Sequence, residues 1–340
     1  MASVQTSAGL ECLLGDFDRE RFFSEYWDRR GLYLSHHQRD RFAHLISHET
    51  FFEREVHHAA SLKASARDAD GWNREVRIQP AQALKLFQLG MTICATGLDR
   101  RGGVGELIDV YRSEITSAVA PHVNCYYSPD GAGYGLHFDT HPVWIVQVAG
   151  RKEWTFSVEP AVRNPLFSVI FPPDRDRVEL PWITLDRPPA DDPTRFRTVD
   201  LEPGDVLYLP AGCWHAARAR GFSLALTLAV ERMSSADLLG VFMRQLPAAS
   251  YPDTRLEPFR RFDSSDARSR AGLRRQIAAD LEHLKVLVDR ISADDLLETY
   301  EYLAEHPDVI GKRGFADAAG QVQIMRERYP SGRADARQPA

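Results

Sequence analysis

Apolar residues recur at two periods along this chain, and the switch between them marks out its parts. Phe22, Phe23, Tyr26 and Trp27 follow Asp18 at helical spacing, with Asp18 as the cap and Arg29-Arg30-Gly31 as the stop. A second helix start is read at Ser47 before Phe51 and Phe52, and a third apolar-periodic segment runs from Pro80 to Leu89. Residues 1–120 are therefore expected to be an N-terminal helical part that packs on a downstream barrel. From about His122 the period falls to two. Residues 123–128, 143–148, 153–158, 205–209 and 222–230 are short, rich in β-branched and aromatic side chains, and separated by Gly or Pro, which predicts a small antiparallel barrel or sandwich over 121–232. After residue 230 the helical period returns. Leu273, Ile277, Leu281, Leu284, Val288 and Ile291 form one stripe, and Ser292 caps a further helix before Pro307. The region 233–330 is read as helical, with a stripe able to pair two subunits, and 331–340 as a disordered tail.

Within the β region, the connector 159–198 is too long for an ordinary turn and carries Pro188-Pro-Ala-Asp-Asp-Pro193. It joins strands that bear candidate ligands, which places it at the mouth of a site. Composition narrows the partners. A net charge of -6 without a dense Lys/Arg run argues against nucleic acid. No apolar run approaches membrane-spanning length, and Met1-Ala-Ser-Val-Gln-Thr-Ser lacks the regions of a secretory signal, so the expected location is cytoplasmic. Four dispersed cysteines, Cys12, Cys94, Cys125 and Cys213, predict free thiols.

Most of the twelve histidines lie on predicted helices or connectors among charged residues and need no role. His137 and Asp139 differ: they follow the glycine-rich turn Pro129-Asp-Gly-Ala-Gly-Tyr-Gly135, and in an extended chain their side chains share one face. His-x-Asp alone is a frequent chance pattern. Its weight comes from Leu201-Glu-Pro-Gly-Asp-Val-Leu-Tyr-Leu-Pro-Ala-Gly-Cys-Trp-His215, in which Pro210 and Gly212 specify a turn that delivers His215 to the next strand. Two imidazoles and one carboxylate are the facial set that holds non-haem Fe(II) and leaves positions open for a bidentate 2-oxoacid and O2. His141 shares the parity of the pair but lies about 6.5 Å beyond Asp139 in an extended chain, so it is read as a neighbour of the site or as substrate-facing.

The far end of a 2-oxoacid with a second carboxylate needs a buried cation. Lys152, Trp154 and Phe156 alternate after an expected turn at Ala149-Gly150, which points Lys152 inward and leaves Arg151 in water. Tyr126 and Thr227 are placed, by position only, to add hydroxyl donors to that carboxylate.

The run from Asn124 through His137-Phe-Asp139 to Gly150-Arg-Lys-Glu-Trp154, together with residues 201–215, resembles the JmjC-type cupin oxygenases related to bacterial ribosomal protein hydroxylases. Leu14-Gly-Asp-Phe-Asp-Arg-Glu-Arg-Phe-Phe-Ser-Glu-Tyr-Trp27 is similar to their opening helix, and the similarity spans most of residues 10–235. The resemblance implies a mainly β fold with flanking helices: a double-stranded β-helix, the cupin/JmjC jelly roll, plus a helical C-terminal region placed like the family's dimerisation segment. It implies a dioxygenase that uses Fe(II), 2-oxoglutarate and O2, with the metal on His137, Asp139 and His215 and the cosubstrate gripped at Lys152. The implied reaction is hydroxylation of an amino-acid side chain in a protein or peptide. The family's ribosomal members carry a fuller C-terminal winged-helix region, which sets a small peptide or precursor peptide beside a ribosomal protein as expected substrate.

Two other classes stay open on the residues alone: a non-catalytic metal-binding cupin or assembly protein, and a metal cupin enzyme acting on a small molecule without 2-oxoglutarate. Demethylation of lysine would use the same site as stable hydroxylation.

Overall fold

The computed structural model describes residues 9–36, 38–98, 102–115, 121–165, 167–180, 183–189, 191–229, 233–245 and 266–305. The expected disordered tail, 331–340, lies outside them. The described strands are β1 (Leu32–Leu34), β2 (Ser61–Arg67), β3 (Asn73–Arg77), β4 (Thr92–Thr96), β5 (His122–Pro129), β6 (His137–Phe138), β7 (Val143–Ser157), β8 (Val169–Ile170), β9 (Arg177–Leu180), β10 (Ile183–Asp186), β11 (Phe196–Leu201), β12 (Val206–Leu209) and β13 (His215–Ala229). All except the β9–β10 pair belong to one antiparallel sheet with the central order β1-β12-β7-β13-β5-β4-β2-β3. Strands β7 and β13 form its spine, since β7 also pairs β11 and β13 also pairs β6.

The sheet buries both faces. One face, through Val123, Cys125, Tyr127, Val146, Leu224, Leu226 and Leu228, packs on the N-terminal elements, where Phe22 and Trp144 rings meet at 5.0 Å. The other lines the barrel with Val143, Ile145, Trp154, Phe156, Leu207, Ala217 and Ala225. Strict alternation on β5 sorts these sets: odd positions face the N-terminal elements, and even positions from His122 to Ser128 are left for the barrel interior.

Three expectations are corrected. Residues 1–120 are not built of helices and connectors alone, because among the described ones β1 to β4 lie beside the helices and extend the sheet through β1–β12 and β4–β5 pairing. Their patterns hide the strands: β3 is a charge-rich edge strand, Asn73-Arg-Glu-Val-Arg77, of the kind that resists further pairing, and β4 is buried on both faces and so does not alternate. Nor is there a turn at Ala149-Gly150. Strand β7 runs unbroken from Val143 to Ser157, and Gly150, at φ 67°, sits where the ladder with β13 is irregular; a Cβ there would fall 2.0 Å from the Phe222 carbonyl oxygen. Finally, the segment 159–198 is not one structureless loop. It contains β8, the β9–β10 pair and the start of β11, and it is anchored by Val169, Phe171, Leu185 and Phe196, which pack with Phe138 and Trp214.

Asp18 does cap the helical segment that starts at Arg19 and carries Phe22 and Phe23, accepting from the Arg21 N–H at 2.6 Å; a short helix, Glu11–Leu14, precedes it. Residues 80–88 form the expected helix, closed at its start by reciprocal bonds between Gln79 and Gln82.

The described residues beyond 232 form a separate compact unit. Its helices are Ser235–Gln245, Ala267–Val288 and Ala293–Glu305. Val241, Tyr302 and Leu303 make its small core, and Ser292 caps the last helix by exchanging bonds with Asp295. The predicted stripe lies on the second of these helices from Leu273 to Val288, with Ile277, Leu281 and Val288 exposed, while Ile291 falls beyond its end.

Candidate metal and 2-oxoacid site

His137, Asp139 and His215 converge. One ligand atom from each falls within 4.8 Å of the others, although Asp139 and His215 are far apart in the chain. Backbone pairing brings this about: His215, the first residue of β13, sits opposite His137 on β6 and Phe156 on β7. The turn before His215 is locked to the other half of the site. Gly212, at φ 77°, donates its N–H to the Asp139 carbonyl oxygen at 2.9 Å, and a Cβ on it would land 1.9 Å from the Val162 carbonyl oxygen. Only glycine meets both demands.

Both imidazoles are oriented for coordination. His137 Nδ1 lies 2.7 Å from the Gly135 carbonyl oxygen and His215 Nδ1 lies 2.9 Å from that of Cys213. A carbonyl only accepts, so each Nδ1 carries the proton and each Nε2 presents a lone pair, the tautomer a metal requires. Burial pushes the His215 imidazolium pKa down to about 4, with the neighbouring His137 acting in the same direction and Asp139 against it. The ring is neutral at pH 7. Burial alone would raise the Asp139 carboxyl, but the imidazoles of His215, His137 and His141 outweigh it and hold the group below the usual carboxylate range. Asp139 and His215 are therefore already in the forms that a divalent ion needs. Ser168 comes within 3.5 Å of Asp139 Oδ1, and β8 pairs with β6, which sets the 159–198 segment against the site.

His141 is not part of the convergent trio. Its Nδ1 meets Thr140 Oγ1 at 3.3 Å, and its ring lies 5.9 Å from that of His122.

Lys152 is buried, with 2 % of its surface exposed, and has no carboxylate partner among the described residues. Its Nζ donates to Ser128 Oγ at 3.1 Å and stands 5.8 Å from the Trp154 ring and 5.9 Å from that of Tyr126. Burial lowers its pKa to about 8. Arg151, by contrast, is half exposed and pairs with Asp200 at 2.8 Å. A buried ammonium without a counter-ion is costly and calls for an anion beside it. The Trp154 ring, 6.0 Å from His215, spans the interval between that cation and the trio, and its indole N–H is buried without an acceptor among the described residues.

Tyr126 is close to both groups, but its hydroxyl bonds the Cys94 thiol, and burial raises its pKa well above the ordinary value. Thr227 is half-buried on β13, opposite Asn124 and Ile145, and its hydroxyl makes no bond to a described residue. The structure thus brings Tyr126 against Lys152 and leaves Thr227 without a contact to it. Ser128, which touches Lys152 directly, was not singled out by the sequence; its position on the inward face of β5, two residues from Tyr126, was the available signal.

Comparison with known proteins agrees with this architecture. Residues 107–238 match the family model of the JmjC domain. The chain is 24% identical over 262 residues to the uncharacterized protein YxbC of Bacillus subtilis, covering 72% of this chain and 77% of that one. It is 25% identical over 251 residues to the bifunctional lysine-specific demethylase and histidyl-hydroxylase NO66 of Drosophila grimshawi, covering 69% of this chain but only 32% of that protein. Among solved structures, Escherichia coli ycfD superposes with a TM-score of 0.54 at 16% identity, over 84% of this chain and 71% of that one. The ribosomal oxygenase YcfD in complex with cobalt and 2-oxoglutarate gives 0.50 at 18%, over 78% and 68%. The fold is thus shared with solved proteins, and the strands that carry the trio lie within the stretch that matches the JmjC domain model.

Proposed function

We propose that this protein is an Fe(II)- and 2-oxoglutarate-dependent dioxygenase that hydroxylates an amino-acid side chain of a protein or peptide. The observation that carries the reading is the pairing of two features in one barrel: a convergent His-Asp-His trio and, beyond Trp154, a buried lysine with no carboxylate partner among the described residues.

In this reading His137, Asp139 and His215 hold the metal on one face, through Nε2, a carboxylate oxygen and Nε2. When bound, Fe(II) with 2-oxoglutarate supplies the oxidising chemistry that inserts one oxygen atom into a C–H bond. The chain orients, neutralises and excludes water. Lys152 takes the distal carboxylate of the cosubstrate, the Trp154 indole walls the space between, and the segment 159–198 shields the opening on the β6 side. Asp139 supplies a third protein ligand and so leaves fewer exchangeable positions than a two-histidine site would.

The names of the relatives support a polypeptide substrate, since NO66 is named a histidyl-hydroxylase and lysine-specific demethylase and YcfD a ribosomal oxygenase. Pairing of two subunits through the exposed Ile277, Leu281 and Val288 stripe, and a cytoplasmic location, complete the proposal; no helix among the described residues is long and apolar enough to cross a membrane. The test is incubation of the iron-loaded protein with peptide pools and 2-oxoglutarate, following succinate and a gain of one oxygen on peptide. Succinate release coupled to peptide oxidation is expected. Metal binding without any 2-oxoglutarate turnover would favour the non-catalytic cupin instead.

A further inference from the structure

Strand β8 pairs with β6 along one edge only, with Ile170 opposite His137 and Val169 opposite Phe138. The Phe171 N–H donates to the Leu136 carbonyl oxygen at 2.8 Å, which fixes the phase of the pairing. Successive residues of a strand turn their backbone groups to opposite edges. Val169 and Phe171 therefore address β6, while Ser168 and Ile170 turn their N–H and C=O groups outward. Among the described residues, none bonds those outward groups.

Residues directly opposite across a ladder share a face. Ile170 thus stands on the face of His137, and Ser168, whose Oγ comes within 3.5 Å of Asp139 Oδ1, on that of Asp139. The character of this edge differs from that of β3. There Arg74, Glu75 and Arg77 discourage a further strand, whereas residues 167–171 carry no charge, and Ile170 and Phe167 are 51 % and 39 % exposed. Pro165 and Pro172 bound the stretch, and neither has an N–H with which to continue a ladder, so it suits a partner strand of a few residues. A short extended length of polypeptide has that shape; a small molecule does not.

We propose that the open edge of β8 is where the polypeptide substrate docks, as an added strand whose backbone bonds Ser168 and Ile170 and whose alternate side chains line the metal-bearing face. Recognition through backbone groups selects an extended segment over a folded surface and leaves sequence preference to the side-chain contacts.

The inference rests on the dioxygenase reading, and the test keeps the two apart. The probe is the peptide that gains most oxygen when iron-loaded wild type acts on a random pool of short peptides, resynthesised with a backbone N-methyl group at each position in turn. An added strand turns every second N–H to β8, so N-methylation should raise KM about tenfold at alternate residues and little at those between. Ile170→Pro removes an outward N–H without touching the bonds to β6 and should raise the KM of the unmodified peptide by a similar factor. Ile170→Ala, which keeps the N–H, should raise it less. If Ile170→Pro does not fold, the N-methyl scan, which alters no residue of the protein, carries the comparison. A scan without a two-residue period, or a folded Ile170→Pro with the wild-type KM, overturns the docking edge and leaves the dioxygenase reading standing. If wild type oxidises no peptide in the pool, the polypeptide-hydroxylase reading fails and the inference goes with it.

Discussion

His215 Nε2 stands 3.6 Å from Asp139 Oδ2, while His215 Nδ1 is tied 2.9 Å from the carbonyl oxygen of Cys213. That spacing is too long for a strong hydrogen bond and leaves both atoms free to share an ion. Each of His137→Ala, Asp139→Ala and His215→Ala is expected to bind divalent metal at least a hundredfold more weakly and to lose 2-oxoglutarate turnover to background, since removing a ligand costs at least as much as removing a ligand's supporting bond. Metal titration and succinate release check this. Wild-type turnover in folded Asp139→Ala would falsify the ligand assignment.

Lys152 should show opposite effects on stability and on cosubstrate binding. Lys152→Met keeps most of the volume and removes a buried, uncompensated charge, so denaturant unfolding of the ligand-free variant should be unchanged or shifted toward greater stability. Its 2-oxoglutarate requirement should rise by about a hundredfold, the order of a buried charge-assisted pair. A variant that is destabilised but has an unchanged requirement would move the anchor elsewhere.

The same lysine sets a pH dependence. Its folded pKa is near 8, below its ordinary value of 10.5, so between those limits the unfolded chain binds a proton that the folded chain does not. Stability therefore rises with pH in that window, and the Lys152→Met variant lacks this contribution. Affinity for 2-oxoglutarate runs the other way and should weaken as pH climbs past about 8, where the ammonium discharges. A flat binding profile from pH 7 to 9.5 would contradict the assignment.

Gly212 tests the turn. Its positive φ and the 1.9 Å approach that a Cβ would make to Val162 predict that Gly212→Ala costs about 2 kcal/mol or more, read as a lower denaturant midpoint. Because the same turn bonds Asp139, metal affinity should fall with it. An unchanged midpoint would mean that the turn relaxes freely.

Much of the site was legible in the sequence because its determinants are local. His137 and Asp139 need only strand parity, His215 only the Pro210–Gly212 turn, and Lys152 only its alternation with Trp154 and Phe156. Residues whose role depends on a distant strand were harder to read. Ser128 becomes important once β7 lies across from β5 and β4 supplies Thr92 behind it, and neither relation leaves a periodic signal. Strands β3 and β4 were missed for a similar reason: a charged edge strand and a strand buried on both sides both break the alternation by which strands are recognised.

Anomalous diffraction at the metal edge, from crystals grown with Mn(II) and 2-oxoglutarate, probes the ligand trio and the cosubstrate anchor together. The expected result is a single strong peak bonded to His137 Nε2, a carboxylate oxygen of Asp139 and His215 Nε2, with the 2-oxoglutarate chain running from it toward Lys152. A peak elsewhere, or none between these three side chains, would contradict the ligand assignment and the function built on it.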